Sequence, residues 1–214
     1  PLPHQQEPLA FGTRPDDDRW TASVAGTRMA FISVQADEAE YYTKIESKQE
    51  QTKLAQGLPN VGDSSKSNKR EAETVARLIH TLCQLYSRSG IPFSPCKQIG
   101  IIVPFRAQIA MIRKALAERH IPDTADITID TVERYQGSQR DIIIFSTTVS
   151  RPYQLSILSE PVMTDGREID RKLNVALTRA RKQFFMTGNE TLLRNCTAYR
   201  KFLDFLSKEQ ILRL

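Results

Sequence analysis

The stretch Ile99-Gly-Ile-Ile-Val103 is a short, continuously apolar run, and Asp141-Ile-Ile-Ile-Phe-Ser-Thr-Thr148 contains a second one. A strand that is apolar on both sides is buried on both faces, as in a parallel sheet covered by helices. Other candidate strands alternate with helical patterns along the chain, at Met29–Val34, Ile127–Ile129 and Gln183–Thr187. We therefore predict an α/β fold of three layers, in which a parallel sheet is flanked by helices.

The helical patterns lie between these runs. Asn68 can cap a helix with Glu71 as its capping-box partner, and apolar residues then recur at helical spacing up to Cys83. Further helices are predicted at residues 107–118, 168–180 and 199–206, and residues 149–167 are predicted to form a long loop. In such folds, ligands bind beyond the carboxyl ends of the strands, so we expect functional residues there first.

The chain is predicted to begin with an irregular segment, residues 1–27, followed by one domain at residues 28–214. Residues 37–66 are polar and rich in charge, which predicts an insertion within that domain.

The bulk composition indicates a globular protein without a membrane span. Hydrophobic residues make up 40 % of the chain, and no apolar run approaches the length that a membrane helix requires. The polar, proline-containing start argues against a signal peptide. The three cysteines and the three histidines are isolated from one another, which predicts reduced thiols, a cytoplasmic location and no metal site.

Positive charge is concentrated near the carboxyl end of the chain. The net charge is +5, and between Arg167 and Lys201 nine basic residues are opposed by three acidic ones. A local excess of this kind favours a polyanion such as nucleic acid or a nucleotide phosphate. A solvated charged surface explains the same pattern.

Two common nucleotide-binding motifs are absent from the sequence. The nearest match to a Walker A loop is Gly57-Leu-Pro-Asn-Val-Gly-Asp-Ser64, where Asp63 replaces the lysine that neutralises phosphate. The chain is therefore not expected to bind ATP tightly or to hydrolyse it alone. A dinucleotide-binding enzyme is excluded because no GxGxxG motif is present.

Three segments together resemble motifs IV, V and VI of superfamily 1 helicases, in the branch that includes the nonsense-mediated-decay helicase and senataxin. They are IGIIVPFRAQ at 99–108, IDTVERYQGSQRD at 129–141 and DRKLNVALTRAR at 170–181. The Asn-x-x-Glu-Ala pattern at Asn68–Ala72 fits the same family. The resemblance covers roughly residues 28–210.

This resemblance implies the second RecA-like domain of such a helicase, a fold of the P-loop NTPase type that here lacks its own Walker A. Its partners would be single-stranded DNA or RNA and a first RecA-like domain in the same protein, not a membrane. ATP and Mg²⁺ would be used by the full-length protein, with the Mg²⁺ ligands outside this chain. The alternative is a RecA-like module that binds nucleic acid or protein without catalysis.

Motif VI contains the residue that we expect to be catalytic. In a helix, Leu173, Ala176 and Ala180 share a core face, whereas Arg179 and Arg181 point in directions about 160° apart. The resemblance implies that Arg179 is an arginine finger, which stabilises charge on the γ-phosphate of ATP. Arg181 and Asn174 are predicted to have supporting roles.

Motif V is expected to link the nucleotide to the nucleic acid. Thr131 and Val132 follow a strand end, where Thr131 can donate hydrogen bonds to a phosphate. The resemblance implies that Gln136 and Gly137 lie at the nucleotide cleft, and that Gln139 contacts the ribose. The family usually has a glutamate at this last position, so the ribose contact here would be uncharged.

Motif IV supplies Pro104, Phe105, Arg106 and Gln108 directly after a predicted strand. An aromatic ring and an arginine at a strand end can stack on a base and hold a phosphate, which predicts nucleic-acid contact. The alternative is that Phe105 packs in the core and Arg106 caps a helix start.

Overall fold

The apolar runs form a six-stranded sheet in which every pair of neighbouring strands is parallel. The computed structural model describes residues 11–34, 66–135, 138–164 and 166–214. The strands are β1 (Met29–Ser33), β2 (Ile99–Val103), β3 (Thr128–Thr131), β4 (Arg140–Ser146), β7 (Ala180–Gly188) and β8 (Ile211–Arg213). Their order in the sheet is β3-β2-β4-β7-β1-β8.

Helices cover both faces of the sheet. One apolar cluster joins the sheet to α1, α2 and α4, and the other joins it to α6, α7 and α8. The helices are α1 (Arg19–Gly26), α2 (Lys69–Arg88), α3 (Pro95–Gln98), α4 (Arg106–Glu118), α5 (Leu155–Leu158), α6 (Arg171–Arg179), α7 (Glu190–Leu193) and α8 (Thr197–Phe205). The predicted three-layer parallel fold is confirmed.

Successive side chains of a central strand enter opposite layers. In β4, Ile142 and Ile144 belong to the first cluster, whereas Ile143 and Phe145 belong to the second. All four are fully buried, and burial of such a side chain stabilises the fold by about 1.5–3 kcal/mol. The continuous apolar run is therefore a direct consequence of cover on both faces.

The prediction that residues 1–27 are irregular is wrong for Arg19–Gly26, which form α1. Asp18 caps this helix by accepting a hydrogen bond from the Thr21 N–H at 2.7 Å. Trp20 is buried against α2, and its indole N–H donates to the Thr81 hydroxyl at 2.8 Å. The helix was hard to recognise because it is only two turns long and its stability depends on packing.

The predicted loop at residues 149–167 is also wrong. It contains a short 3₁₀ turn, α5 and a hairpin of β5 (Pro161–Thr164) with β6 (Arg167–Asp170), which pair antiparallel. The helix predicted from residue 168 begins after the buried Asp170, because that side chain caps it by accepting from the Leu173 N–H at 2.7 Å. Strand β8 was not predicted, since three residues carry too little pattern.

Two further findings concern the predicted organisation. The polar insertion at 37–66 lies outside the described residues, except for Lys66. Among the helices of the described ranges, none is long and apolar enough to cross a membrane.

The close approach of Tyr135 to Gly100 of β2 allows the fold to be tested by substitution. A Cβ atom at Gly100 would overlap the Tyr135 hydroxyl and would lie 2.8 Å from its Cζ atom. Tyr135 is 1 % exposed and cannot move aside freely. We expect Gly100→Ala to lower the free energy of unfolding by about 1–3 kcal/mol, measured by chemical denaturation.

Gly12→Ala is the matched control, because a Cβ atom at Gly12 would meet nothing within 4 Å. It should change the free energy of unfolding by less than about 0.5 kcal/mol. Equal effects of the two substitutions would contradict the packing of Tyr135 on β2.

Candidate functional site

The predicted functional residues lie at two opposite edges of the sheet. The residues of motif IV follow the carboxyl end of β2, and Thr131 is the last residue of β3, where it is paired with Val103. Gln139 and Arg179 instead precede β4 and β7, whose first residues Arg140 and Ala180 are paired. Strand β4 has seven residues, so the two edges are about 20 Å apart. We expected functional residues at the carboxyl ends of the strands. That expectation holds for the motif IV residues and Thr131 but not for Gln139 and Arg179.

Arg179 is the last residue of α6 and is half-buried at the amino edge. Its Nη2 atom donates to the Thr178 hydroxyl at 3.3 Å, and its buried Nε–H has no hydrogen-bond partner within the described residues. No carboxylate among the described residues forms an ion pair with Arg179. A partly desolvated cation without a counter-charge is unfavourable alone and is suited to an anion that arrives from outside.

The neighbouring basic residues of β7 are paired. Arg181 lies 3.7 Å and Lys182 lies 3.1 Å from carboxylate oxygens of Asp141. The predicted helical angle between Arg179 and Arg181 is wrong, because α6 ends at Arg179 and Arg181 belongs to the strand. Asn174 is exposed on α6. The supporting roles of Arg181 and Asn174 remain predictions.

The part of motif V that is predicted to contact nucleotide is described only in part. Gln136 and Gly137 lie outside the described residues. Gln139 is half-buried, and its carbonyl oxygen accepts from Arg140 Nη1 at 2.9 Å, while Arg140 Nη2 donates to the Thr128 hydroxyl at 3.2 Å. Arg140 therefore fixes the backbone beside Gln139. This role was not predicted, although an arginine at the first position of a buried strand is a visible signal.

At the carboxyl edge, the prediction that Gln108 contacts nucleic acid is wrong. Gln108 is fully buried, and its Oε1 atom accepts from the Asn68 N–H at 2.7 Å. Its Nε2 atom donates to the Asn68 carbonyl at 3.1 Å and to the Ser146 hydroxyl at 3.3 Å. Both N–H donors of the amide are thus used inside the protein, so Gln108 is structural.

Two other predicted nucleic-acid contacts are buried. Phe105 is 7 % exposed and Val132 is 4 % exposed, so neither side chain presents a surface on which a base could stack. For Phe105 the alternative of packing inside the protein is correct. Arg106 is exposed and Pro104 half-buried at the start of α4, so these two remain accessible. Thr131 is half-buried, and its N–H already donates to Asp130 Oδ1 at 2.8 Å.

A buried carboxylate, Glu71, organises this edge. Its Oε2 atom accepts from the Ser146 hydroxyl at 2.8 Å, the Thr148 N–H at 3.0 Å and the Thr187 hydroxyl at 3.0 Å. The predicted cap at Asn68 is confirmed, since its side chain accepts from the Glu71 N–H. The predicted second bond of the capping box, from the Asn68 N–H to the Glu71 side chain, is wrong. The Asn68 N–H donates to the Gln108 side chain instead.

The environment of Glu71 changes its ionisation. Complete burial raises the pKa of its carboxyl from 4.5 to about 7, against the opposing effect of its hydrogen bonds. The groups that donate to it carry no charge. A run of hydroxyl residues after the apolar part of β4, at Ser146, Thr147 and Thr148, is the signal in the sequence that could have revealed a buried polar partner.

Metal binding has no candidate among the residues that the structure describes. No group of three or more histidine, cysteine, aspartate or glutamate side chains there could hold an ion. All three cysteines are free thiols.

Comparisons with known proteins point to one family. A family model described as an AAA domain matches residues 13–191. MOV-10 of Gallus gallus is 32 % identical over 155 residues, which is 66 % of this chain and 15 % of that protein. DNA polymerase alpha-associated DNA helicase A of Saccharomyces cerevisiae is 34 % identical over 48 % of the chain and 14 % of its own length.

A third relative is the DNA replication ATP-dependent helicase/nuclease DNA2 of Bos taurus, with 31 % identity over 64 % of the chain and 12 % of its own length. The chain therefore spans only 12–15 % of the length of these three curated relatives. Because the relatives include proteins named as helicases, a module without catalysis is not favoured.

The shifted ionisation of Glu71 predicts how stability depends on pH. Between pH 4.5 and about 7 the folded protein holds a proton that the unfolded chain has released. This contribution to stability is fully present below the ordinary pKa and is lost as the pH rises through the raised one. Glu71→Gln stays neutral at every pH. As the pH rises from about 5 to about 8, its free energy of unfolding should therefore increase by about 2–3 kcal/mol relative to that of wild type.

Denaturation curves at several pH values check this expectation. Glu73→Gln is the control, because the Glu73 side chain is 47 % exposed on the same helix. Its difference from wild type should stay constant with pH. Parallel pH profiles for wild type and Glu71→Gln would contradict the raised pKa.

Proposed function

The chain belongs to the AAA domain family, and on that premise we propose that it is one half of an ATP-driven motor on single-stranded DNA or RNA. It is a C-terminal motor domain of the superfamily 1 helicases, in the branch that includes the nonsense-mediated-decay helicase and senataxin. The second RecA-like domain would comprise residues 28–214. A first RecA-like domain of the same protein would supply the Walker A loop that the sequence lacks.

One observation carries this proposal: the guanidinium of Arg179 forms no ion pair with any residue that the structure describes. Arginine stays charged and presents several donors in a fixed plane, which fits phosphate oxygens. Arg179 is half-buried, has an unpartnered Nε–H and makes no ion pair in the described part of the chain, so donors besides the one to Thr178 remain available. These properties fit the γ-phosphate of ATP as the missing partner.

The rest of α6 keeps this arginine in position. Leu173 and Ala176 anchor the helix in the core, and Asp170 caps its first turn. ATP, when bound with Mg²⁺, would supply the phosphoryl group whose transfer drives the motor. Arg179 would contact the γ-phosphate across the cleft between the domains and stabilise charge that develops during transfer.

Gln139 would contribute to the same site from the neighbouring strand. Its backbone is fixed by Arg140, and its side-chain amide can accept a hydrogen bond from the ribose. An uncharged acceptor gives weaker discrimination than a carboxylate. Gln136 and Gly137 would complete this side of the cleft.

Nucleic acid would bind at the carboxyl edge, where Arg106, Pro104 and Thr131 are at least partly accessible. This edge is separated from Arg179 by the full length of the strands, so the domain would transmit movement as a rigid body. Closure of the cleft on ATP would then shift its grip on the strand, and release would reverse the shift. We further propose an intracellular, cytoplasmic location, consistent with the three free cysteines.

Arg179→Ala in the full-length protein tests the finger assignment. The substitution should leave the KM for ATP nearly unchanged and lower ATP turnover by about 10³–10⁵-fold, because charge in the transition state loses its stabilising cation. Steady-state phosphate release measures both quantities. Arg19→Ala removes an exposed arginine of α1 and should have normal turnover. Normal turnover in Arg179→Ala as well would exclude the finger role.

Binding of single strands should depend strongly on salt. With two or three phosphates neutralised, affinity for a labelled oligonucleotide should fall about 5–20-fold between about 50 and 200 mM salt. Arg106→Ala should weaken binding and lower the slope of log affinity against log salt by about 0.7.

Lys114→Ala is the control, since Lys114 is an exposed basic residue of the same helix that lies two turns further from the sheet edge. Its slope should equal that of wild type. Fluorescence anisotropy measures all three proteins, and an affinity that does not change with salt would count against binding at this edge.

A further inference from the structure

Glu71 connects four separate elements at the carboxyl edge. It joins the start of α2, through Asn68 Nδ2 at 3.3 Å, to the exits of β4 and β7. Gln108 of α4 is tied to the same cluster, because it bonds both Asn68 and Ser146. Since Glu71 is fully buried, it cannot touch a bound strand and can act only through these partners.

One of these partners has an unfavourable backbone conformation. Thr148 has a φ of 62°, which lies in the left-handed region that β-branched residues rarely adopt. Its N–H donates to Glu71 Oε2 at 3.0 Å, and its hydroxyl donates to the Ser146 carbonyl at 3.3 Å. A strained backbone of this kind persists only where surrounding contacts stabilise it. At Thr148, the contact to the strained backbone is the hydrogen bond from its N–H to Glu71.

The cluster also sets the position of the accessible arginine of motif IV. Arg106 and Gln108 lie in the same first turn of α4. Gln108 is fixed by Asn68 and Ser146, and Ser146 is fixed by Glu71. A displacement of Glu71 would therefore reach the beginning of α4 through two hydrogen bonds.

We infer that Glu71 is a positioning residue for nucleic-acid binding, which holds the strand exits and the start of α4 in the arrangement that meets the nucleic-acid backbone. The inference rests on the proposed function and assigns a role to a residue that does not contact the ligand. The role of Glu71 is limited to the carboxyl edge. A change at Glu71 should therefore leave ATP turnover at Arg179 unaffected once the single-stranded nucleic acid is saturating.

The test is ATP turnover of the full-length protein as a function of the concentration of a single-stranded oligonucleotide. Glu71→Ala removes the acceptor for the donors from Asn68, Ser146, Thr148 and Thr187 and should raise the half-saturating strand concentration tenfold or more. The maximal turnover should stay within about twofold of wild type, and so should the KM for ATP. Glu71→Gln keeps an oxygen acceptor and should restore strand affinity to within about threefold.

Two further variants isolate the effect. Glu73→Ala, on the exposed side of the same helix, should leave the strand dependence unchanged. Thr187→Val removes a single donor to Glu71 with little change of shape and should raise the half-saturating concentration about threefold. If Glu71→Ala does not fold, as judged by its melting curve, Thr187→Val decides the question.

The possible results separate the inference from its premise. Unchanged strand dependence in folded Glu71→Ala, or in Thr187→Val when the alanine variant does not fold, would overturn the positioning role. A loss of maximal turnover at an unchanged strand dependence would overturn it too. A wild-type protein whose turnover does not respond to any single strand would instead contradict the proposed function.

Discussion

The central strands are covered on both faces, and this constraint determines where chemistry can occur. All five residues of β2 are buried, as are the last five of β4, and their side chains alternate between two apolar layers. A polar side chain inside those layers would need partners that the layers do not offer. Polar and charged groups are therefore displaced to the strand ends, which gives the domain two chemically distinct edges joined by a stiff apolar body.

The two edges place their ionisable groups in opposite environments. Glu71 is removed from water completely and is surrounded by donors from several elements. Arg179 keeps contact with solvent, and its partner among the described residues is one hydroxyl at 3.3 Å. The first arrangement suits a group that maintains a shape, because each donor fixes one backbone segment. The second suits a group that acts on a ligand, because its donors remain free.

Much of the fold could be predicted from the sequence, because apolar runs with cover on both faces have few alternatives. Motif order further allowed Arg179 to be singled out. Three kinds of feature could not be predicted from the sequence. Helix α1 depends on packing against a segment 61 residues further along the chain, and each strand of the hairpin β5–β6 has only four residues, too few for a clear pattern. The burial of Gln108 and Phe105 depends on which side of a helix start faces the sheet. The role of Glu71 depends on hydroxyls that lie 75 and 116 residues further along the chain.

The alternation of Ile142, Ile143, Ile144 and Phe145 between two apolar layers has a consequence for how such a domain can vary over evolution. Because side chains alternate, inserting one residue in β4 would exchange its two apolar faces and shift one edge relative to the other. Swaps among isoleucine, valine and phenylalanine would preserve both the faces and the spacing. Strand length should thus tolerate far less change than strand composition, and lineages should differ mainly in the segments that connect the strands.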